Sequence, residues 1–202
     1  SFKSVSGVIG LFILTLFTSL MFWGDVLGAQ ALLEKTNPIP PLGLGILMLI
    51  IVQVILRRLP EGSLEEYKPA AKVALTLIFV AGLITVWSIK IPWGRWTYRD
   101  MLEFGDLSLF TPWYLPQGNN GHHSFFSGHT ALSFCALPIV LLFRNNKKQY
   151  TIAWVLALAW GVLGALSRVK IGAHFPSDVL FGGGQTILWF WILKNKFFKI
   201  DS

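Results

Sequence analysis

With a lone cysteine, Cys135, the chain can form no intrachain disulfide and no cysteine-built metal cluster. Charge is scarce as well. Only 13% of the 202 side chains are Asp, Glu, Lys or Arg, against 53% hydrophobic, and the mean hydropathy is positive. Those proportions exclude an ordinary soluble domain. Acidic residues are fewest: ten Asp and Glu face seventeen Lys and Arg, a formal net charge of +7. Such an excess can mark a nucleic-acid binder, but here the cations are distributed among short polar segments between apolar runs. A membrane bilayer, not nucleic acid, is the partner that this distribution implies.

A helix needs roughly 17–25 apolar residues to cross a hydrocarbon core about 30 Å thick. Runs of about that kind occur at 5–23, 42–59, 73–89, 130–143, 151–166 and 179–193. The expected fold is therefore all-α, a polytopic membrane protein with six transmembrane helices in one bundle, a single domain over residues 1–202. The first run resembles a cleavable signal, since Lys3 precedes it and "VLGAQA" follows. It is longer than the 7–15 apolar residues of a signal core, so it is read as a retained helix. Cys135 falls within the fourth run and reads as a small packing residue.

The cations orient the bundle. One alternating set of polar segments holds eleven: Lys3, then Arg57, Arg58, Lys68 and Lys72, then Arg144, Lys147 and Lys148, then Lys194, Lys196 and Lys199. The other set, in segments 24–41, 90–129 and 167–178, holds six: Lys35, Lys90, Arg95, Arg99, Arg168 and Lys170. The positive-inside rule then places both ends of the chain and the segments around 57–72 and 144–150 in the cytoplasm, with the remaining three loops facing out across the cell membrane. Five of the six outward cations sit in two loops that open on one side. Anchoring to lipid head groups is one reason for them, and a bound anion is the other.

The segment "LSRVKIGAHFPSDV", 166–179, joins the fifth and sixth runs. Pro176 suits a first helical turn, where its missing N–H costs nothing. His174 then precedes the sixth helix, and Asp178 lies one turn inside it. From there the carboxylate can reach back to one ring nitrogen and leave the other as a nucleophile; a simple helix cap would use the same spacing. In "HHSFFSGHTALSF", 122–134, Ser127, Gly128 and His129 stand where the fourth helix begins on the same face. A helix amino terminus suits phosphate or sulfate, Gly128 lets the backbone approach it, and His129 could protonate a leaving oxygen. His122 and His123, in a Gly- and Asn-rich loop, read as loop surface. In "KIPWGRWTYRDM" the cations Lys90, Arg95 and Arg99 reach this mouth, where they could pair with phosphate oxygens or snorkel beside Trp87, Trp93 and Trp96. Pro92 and Gly94 end the helix there and turn the chain back over the mouth.

Together these residues resemble the type-2 phosphatidic acid phosphatase superfamily, in its membrane lipid phosphatase branch. The family's S-R-x5-H-x3-D motif is matched by Ser167, Arg168, His174 and Asp178. Its P-S-G-H motif appears as "FSGH", with Phe126 in place of proline. Its K-x6-R-P motif begins at Lys90, but Thr97 and Tyr98 stand where arginine and proline are expected. The resemblance covers roughly residues 73–190. It implies hydrolysis of a terminal phosphate on a lipid, such as phosphatidylglycerol phosphate, undecaprenyl diphosphate or phosphatidate, at the outer face. His174 would form a phosphohistidine, Asp178 would stabilise the charged ring, and His129 would protonate the leaving group and then activate water. Lys90, Arg95 or Arg99, Ser127, Gly128 and Arg168 would hold the phosphate oxygens, with no metal and no cofactor. A transporter of anionic lipids would share the cationic mouth but does not need a His–Asp pair beside a second histidine, and a non-catalytic family member would account for the small-residue helix faces at Gly161 with Gly164 and at Gly182–Gly184.

Overall fold

The structure, a computed structural model, describes residues 67–198; the expected spans 5–23 and 42–59 lie outside them. Among the described residues every regular element is helical. Helix α1, Lys68–Leu77, runs through a π-helical stretch, Ile78–Thr85, into α2, Val86–Trp93. Short α3, Tyr98–Phe104, and a 3-10 turn, Leu107–Leu109, follow. Then come α4, Gly128–Phe134, a 3-10 helix, Leu137–Phe143, and the two long helices α5, Lys147–Lys170, and α6, Pro176–Phe197. The four described runs of the sequence thus fall on helix. Two helical stretches are long and apolar enough to cross a membrane, Lys68–Phe104 and Lys147–Lys170.

The ends of these elements follow from local chemistry. Gly94 takes the left-handed conformation, φ 58°, and stops α2 directly after Pro92 and Trp93. Its carbonyl receives the Asn120 amide at 2.7 Å, and Gln117 N–H donates to the Trp93 carbonyl at 2.8 Å, so the long loop is tied down over the end of α2. Thr97 starts α3 as an N-cap, its hydroxyl accepting Asp100 N–H at 3.0 Å. Asn146 caps α5 in the same manner through Gln149. Beyond Phe134 the helix tightens to 3-10 geometry, with Pro138 at its start. The greater rise per residue stretches Gly128–Phe143 to roughly 28 Å, longer than an α-helix of that many residues.

Glycines let α4 sit close between its neighbours. A Cβ on Gly161 of α5 would stand 2.6 Å from the Phe134 ring, and one on Gly183 of α6 2.8 Å from its other edge. Gly182 meets the Ser127 carbonyl and Gly164 the Ser133 side chain in the same way. Thus Phe134 lies between two glycine faces, a close-packing device common among membrane helices. The π-helical stretch is tied to α6: Gln185 donates to the Ala81 carbonyl and Trp189 to the Thr85 hydroxyl, both at 3.2 Å. One apolar cluster joins Ala70, Val73, Leu141, Ala153 and Leu193, at the start of α1 and α5 and the end of α6. A second joins Val86, Phe125, Phe126 and Ala131, with Ile89 and Trp93 against it. The helices therefore alternate in direction, and the ends carrying the motif residues gather beside the second cluster.

Candidate active site

Four segments meet at that end: the close of α2, the start of α4, the turn after α5 and the start of α6. The turn is built by Arg168, whose carbonyl accepts Ala173 N–H at 3.1 Å and His174 N–H at 3.3 Å. Gly172 makes it possible at φ 69°. Phe175 precedes Pro176, and its N–H donates back to Asp178 Oδ2 at 2.9 Å, closing the first turn of α6. The carboxylate thus caps the helix through Phe175, the simpler use of the same spacing, while its Oδ2 also lies on the side of the His174 ring. His174 Nδ1 is buried 3.7 Å from Asp178 Oδ2, longer than a hydrogen bond and within reach of a small ring rotation.

His129 stands opposite, on the first turn of α4, its ring centre 6.5 Å from that of His174. Burial first, and then the charges of Arg168, His174 and Lys90, hold its imidazole down to about 3. Ser127 is fully buried and caps α4, accepting from Thr130 N–H at 3.2 Å and from the Thr130 hydroxyl at 3.0 Å, while its own N–H donates to the Asp178 carbonyl. Arg168 is buried, its Nε donating to the Ser167 hydroxyl at 3.2 Å. Lys90 Nζ donates to the Phe126 carbonyl at 3.4 Å. Thus Lys90, Ser127, Gly128, His129, Arg168, His174 and Asp178 come together.

The two arginines of the irregular motif part company. Arg95 is buried, with its Nη1 on Asp178 Oδ1 at 2.5 Å and on the Ser177 hydroxyl at 2.9 Å, and its Nε on the Thr111 carbonyl at 2.9 Å. Arg99 has a side chain 44% exposed, with Nε 3.9 Å from Asp100, while its backbone N–H donates to the Gly172 carbonyl at 3.0 Å. Thr97, where the family pattern has arginine, is spent on capping α3.

Sequence reading passed over Ser124, which is fully buried and donates its hydroxyl to Asp178 Oδ2 at 2.5 Å. Ser177 and Thr111, the partners of Arg95, were passed over as well. The available signal was Ser124's place between two histidines and two phenylalanines, in a stretch that looked like loop surface. His122 and His123 are half-buried: His122 stacks on Trp96 with centres 3.3 Å apart, and His123 Nδ1 lies 3.4 Å from the Lys90 carbonyl.

Burial fixes the electrostatics of the nucleophile candidate. The His174 imidazole is held below its ordinary value near 6.5, chiefly because a buried ring is costly to charge, against the opposing pull of Asp178. Its neutral form, with a lone pair on one nitrogen, is the resting state at neutral pH. No group of three or more His, Cys, Asp or Glu among the described residues is placed to hold a metal ion.

Comparison with known proteins bears on this geometry. The chain is 34% identical over 93 residues to phosphatidylglycerophosphatase B of Bacillus subtilis (strain 168), covering 42% of this chain and 44% of that protein. It is 26% identical over 152 residues to lipid A 4′-phosphatase of Francisella tularensis subsp. novicida (strain U112), 72% of this chain and 68% of the relative. It is 28% identical over 116 residues to an undecaprenyl-diphosphatase of Sulfolobus acidocaldarius, 57% and 51% of the two. In the first and third relatives the match thus spans about half the length. No solved structure matches. The sequence model of the PAP2 superfamily covers residues 70–201, from the start of α1 to beyond the end of α6 and through every residue of the site. On that match, and with the motif residues gathered at one mouth, the chain belongs to the PAP2 superfamily.

Proposed function

We propose that this protein is an integral membrane lipid phosphatase that removes a terminal phosphate at the outer face of the cell membrane. The observation that carries the proposal is the pair of facing imidazoles, 6.5 Å between ring centres, with Asp178 behind one of them. A nucleophile and a proton donor within reach of one phosphoryl group are what in-line phosphoryl transfer requires. His174 Nε2 attacks phosphorus, and a P–N bond forms as the bond to the leaving oxygen breaks. His129, held neutral by burial and the nearby cations in the free protein, takes up a proton as the phosphate's negative charge binds and gives it to that oxygen. Water, losing a proton to His129, then attacks phosphorus; the P–N bond breaks, inorganic phosphate leaves and His174 is restored. Lys90, Ser127, the Gly128 N–H and Arg168 hold the equatorial oxygens, so positioning and electrostatics do most of the work. The scheme needs neither metal nor cofactor.

The chain's relatives and its hydropathy support a lipid phosphate as the substrate class. Phosphatidylglycerol phosphate, undecaprenyl diphosphate and phosphatidate each present a terminal phosphate at the level of the head groups, where this mouth would open in a six-span bundle. Loop 100–126, whose Trp113 packs near Phe125 and against Phe181, is the candidate for head-group choice. Phosphate release from a panel of these lipids tests the proposal. The wild type in detergent with excess EDTA is expected to turn over at least one of them, and His174→Ala and His129→Ala none. Undiminished release by His174→Ala, or a strict need for a divalent cation, would contradict it.

A further inference from the structure

We infer that Arg95 and Ser124 clamp the Asp178 carboxylate in the orientation that serves His174, which makes Arg95 a positioning residue and not a ligand of phosphate. The inference rests on the phosphatase reading above. Asp178 is fully buried, and three donors converge on it: Arg95 Nη1 on Oδ1, and Ser124 Oγ and Phe175 N–H on Oδ2. A buried carboxylate needs such partners, and removing one leaves its charge uncompensated. With both oxygens engaged, the group cannot turn about its own axis, and Oδ2 stays toward His174 Nδ1.

The guanidinium is itself held. Its Nε donates to the Thr111 carbonyl and its Nη1 also to Ser177, while the Phe175 ring lies 4.2 Å from its central carbon. For Arg95 to swing into the phosphate cage it would have to abandon all three and leave Asp178 short of a cation. The two clamp residues also position each other: Ser124 N–H donates to the Arg95 carbonyl at 2.9 Å. One backbone contact thus brings a hydroxyl to one carboxylate oxygen and a guanidinium to the other. Arg95 acts on the reaction only through Asp178, by fixing which nitrogen of His174 carries the proton.

A double-mutant cycle with a binding readout separates this role from a phosphate contact. Arg95→Lys and Ser124→Ala are made alone and in an Asp178→Asn background, with inorganic phosphate as competitive inhibitor. Arg95→Lys is expected to lower kcat at least about tenfold and Ser124→Ala at least about threefold, with the inhibition constant for phosphate kept within about twofold. In the Asp178→Asn background neither change is expected to lower kcat further. A weakening of phosphate inhibition by about tenfold or more in Arg95→Lys, as one lost charge-assisted contact would give, would overturn the inference. So would losses that multiply with that of Asp178→Asn. Should Arg95→Lys not accumulate, Ser124→Ala carries the same test on the opposite oxygen. A wild type that releases phosphate from none of the lipids would overturn the phosphatase reading and the clamp with it, whereas an active wild type with multiplying losses overturns the clamp alone.

Discussion

His174 works in the proposed scheme because burial keeps its ring neutral. The shift is downward from 6.5, so the nucleophilic form persists as pH falls through the ordinary imidazole value and is lost only below it. The acid limb of kcat/KM, which reports the free enzyme, is therefore expected below pH 6.5; a limb at or above that value would mean that His174 titrates as an exposed ring. Asp178→Asn removes the acceptor that favours a proton on Nδ1, and kcat is expected to fall by about a thousandfold or more, as reversal of an imidazole tautomer does elsewhere. Normal kcat in that variant would remove Asp178 from the scheme. The Ser167, Arg168, His174 and Asp178 spacing was legible in the sequence because a single turn and a single helix start connect those residues. The clamp was not. Arg95 meets Asp178 across 83 positions of chain and Ser124 meets it across 54, and no local periodicity encodes such contacts. Thr97 shows the same limit from the other side: its value as an N-cap is visible only once α3 is seen to begin there.

At the level of the helices, the apolar runs within the described residues all fell on helix, since burial against protein or lipid demands them. They did not reveal the π-helical stretch or the 3-10 helix after Phe134, because hydrogen-bond register depends on neighbours, here Gln185 and Trp189 for the first. Glycine spacing was ambiguous in sequence between a scaffold's interface and internal packing, and in the structure Gly161 and Gly183 enclose Phe134. Gly161→Leu would drive side-chain atoms into that ring, an overpacking cost of about 1–3 kcal/mol. The unfolding temperature in detergent is expected to drop by several degrees, while Gly184→Ala, which meets nothing within 4 Å and puts a better helix former inside α6, is expected to keep it or raise it slightly. Equal effects of the two substitutions would show that contact with Phe134 is not what the glycines provide.

Among the described residues, one set of cations and the motif residues lie at different helix ends. Arg144, Lys147, Lys148, Lys194 and Lys196 lie at helix ends away from the mouth that gathers Lys90, Arg95 and Arg168. If the first set faces the cytoplasm, a cysteine at exposed Asn119 in a Cys135→Ala background is expected to react with an impermeant maleimide on intact cells, and one at exposed Asn146 is not. The reverse pattern would move the reaction to the inner leaflet. The most direct test of the central claim is capture of the intermediate itself. Rapid quench of wild type with a lipid phosphate radiolabelled on its terminal phosphorus, followed by peptide mapping, is expected to find an acid-labile, alkali-stable phosphoryl group on His174. Its level should rise in His129→Ala if loss of the water-activating base slows the second step more than the first. Label on another residue, or turnover with no labelled protein at any quench time, would contradict the claim that the reaction passes through His174.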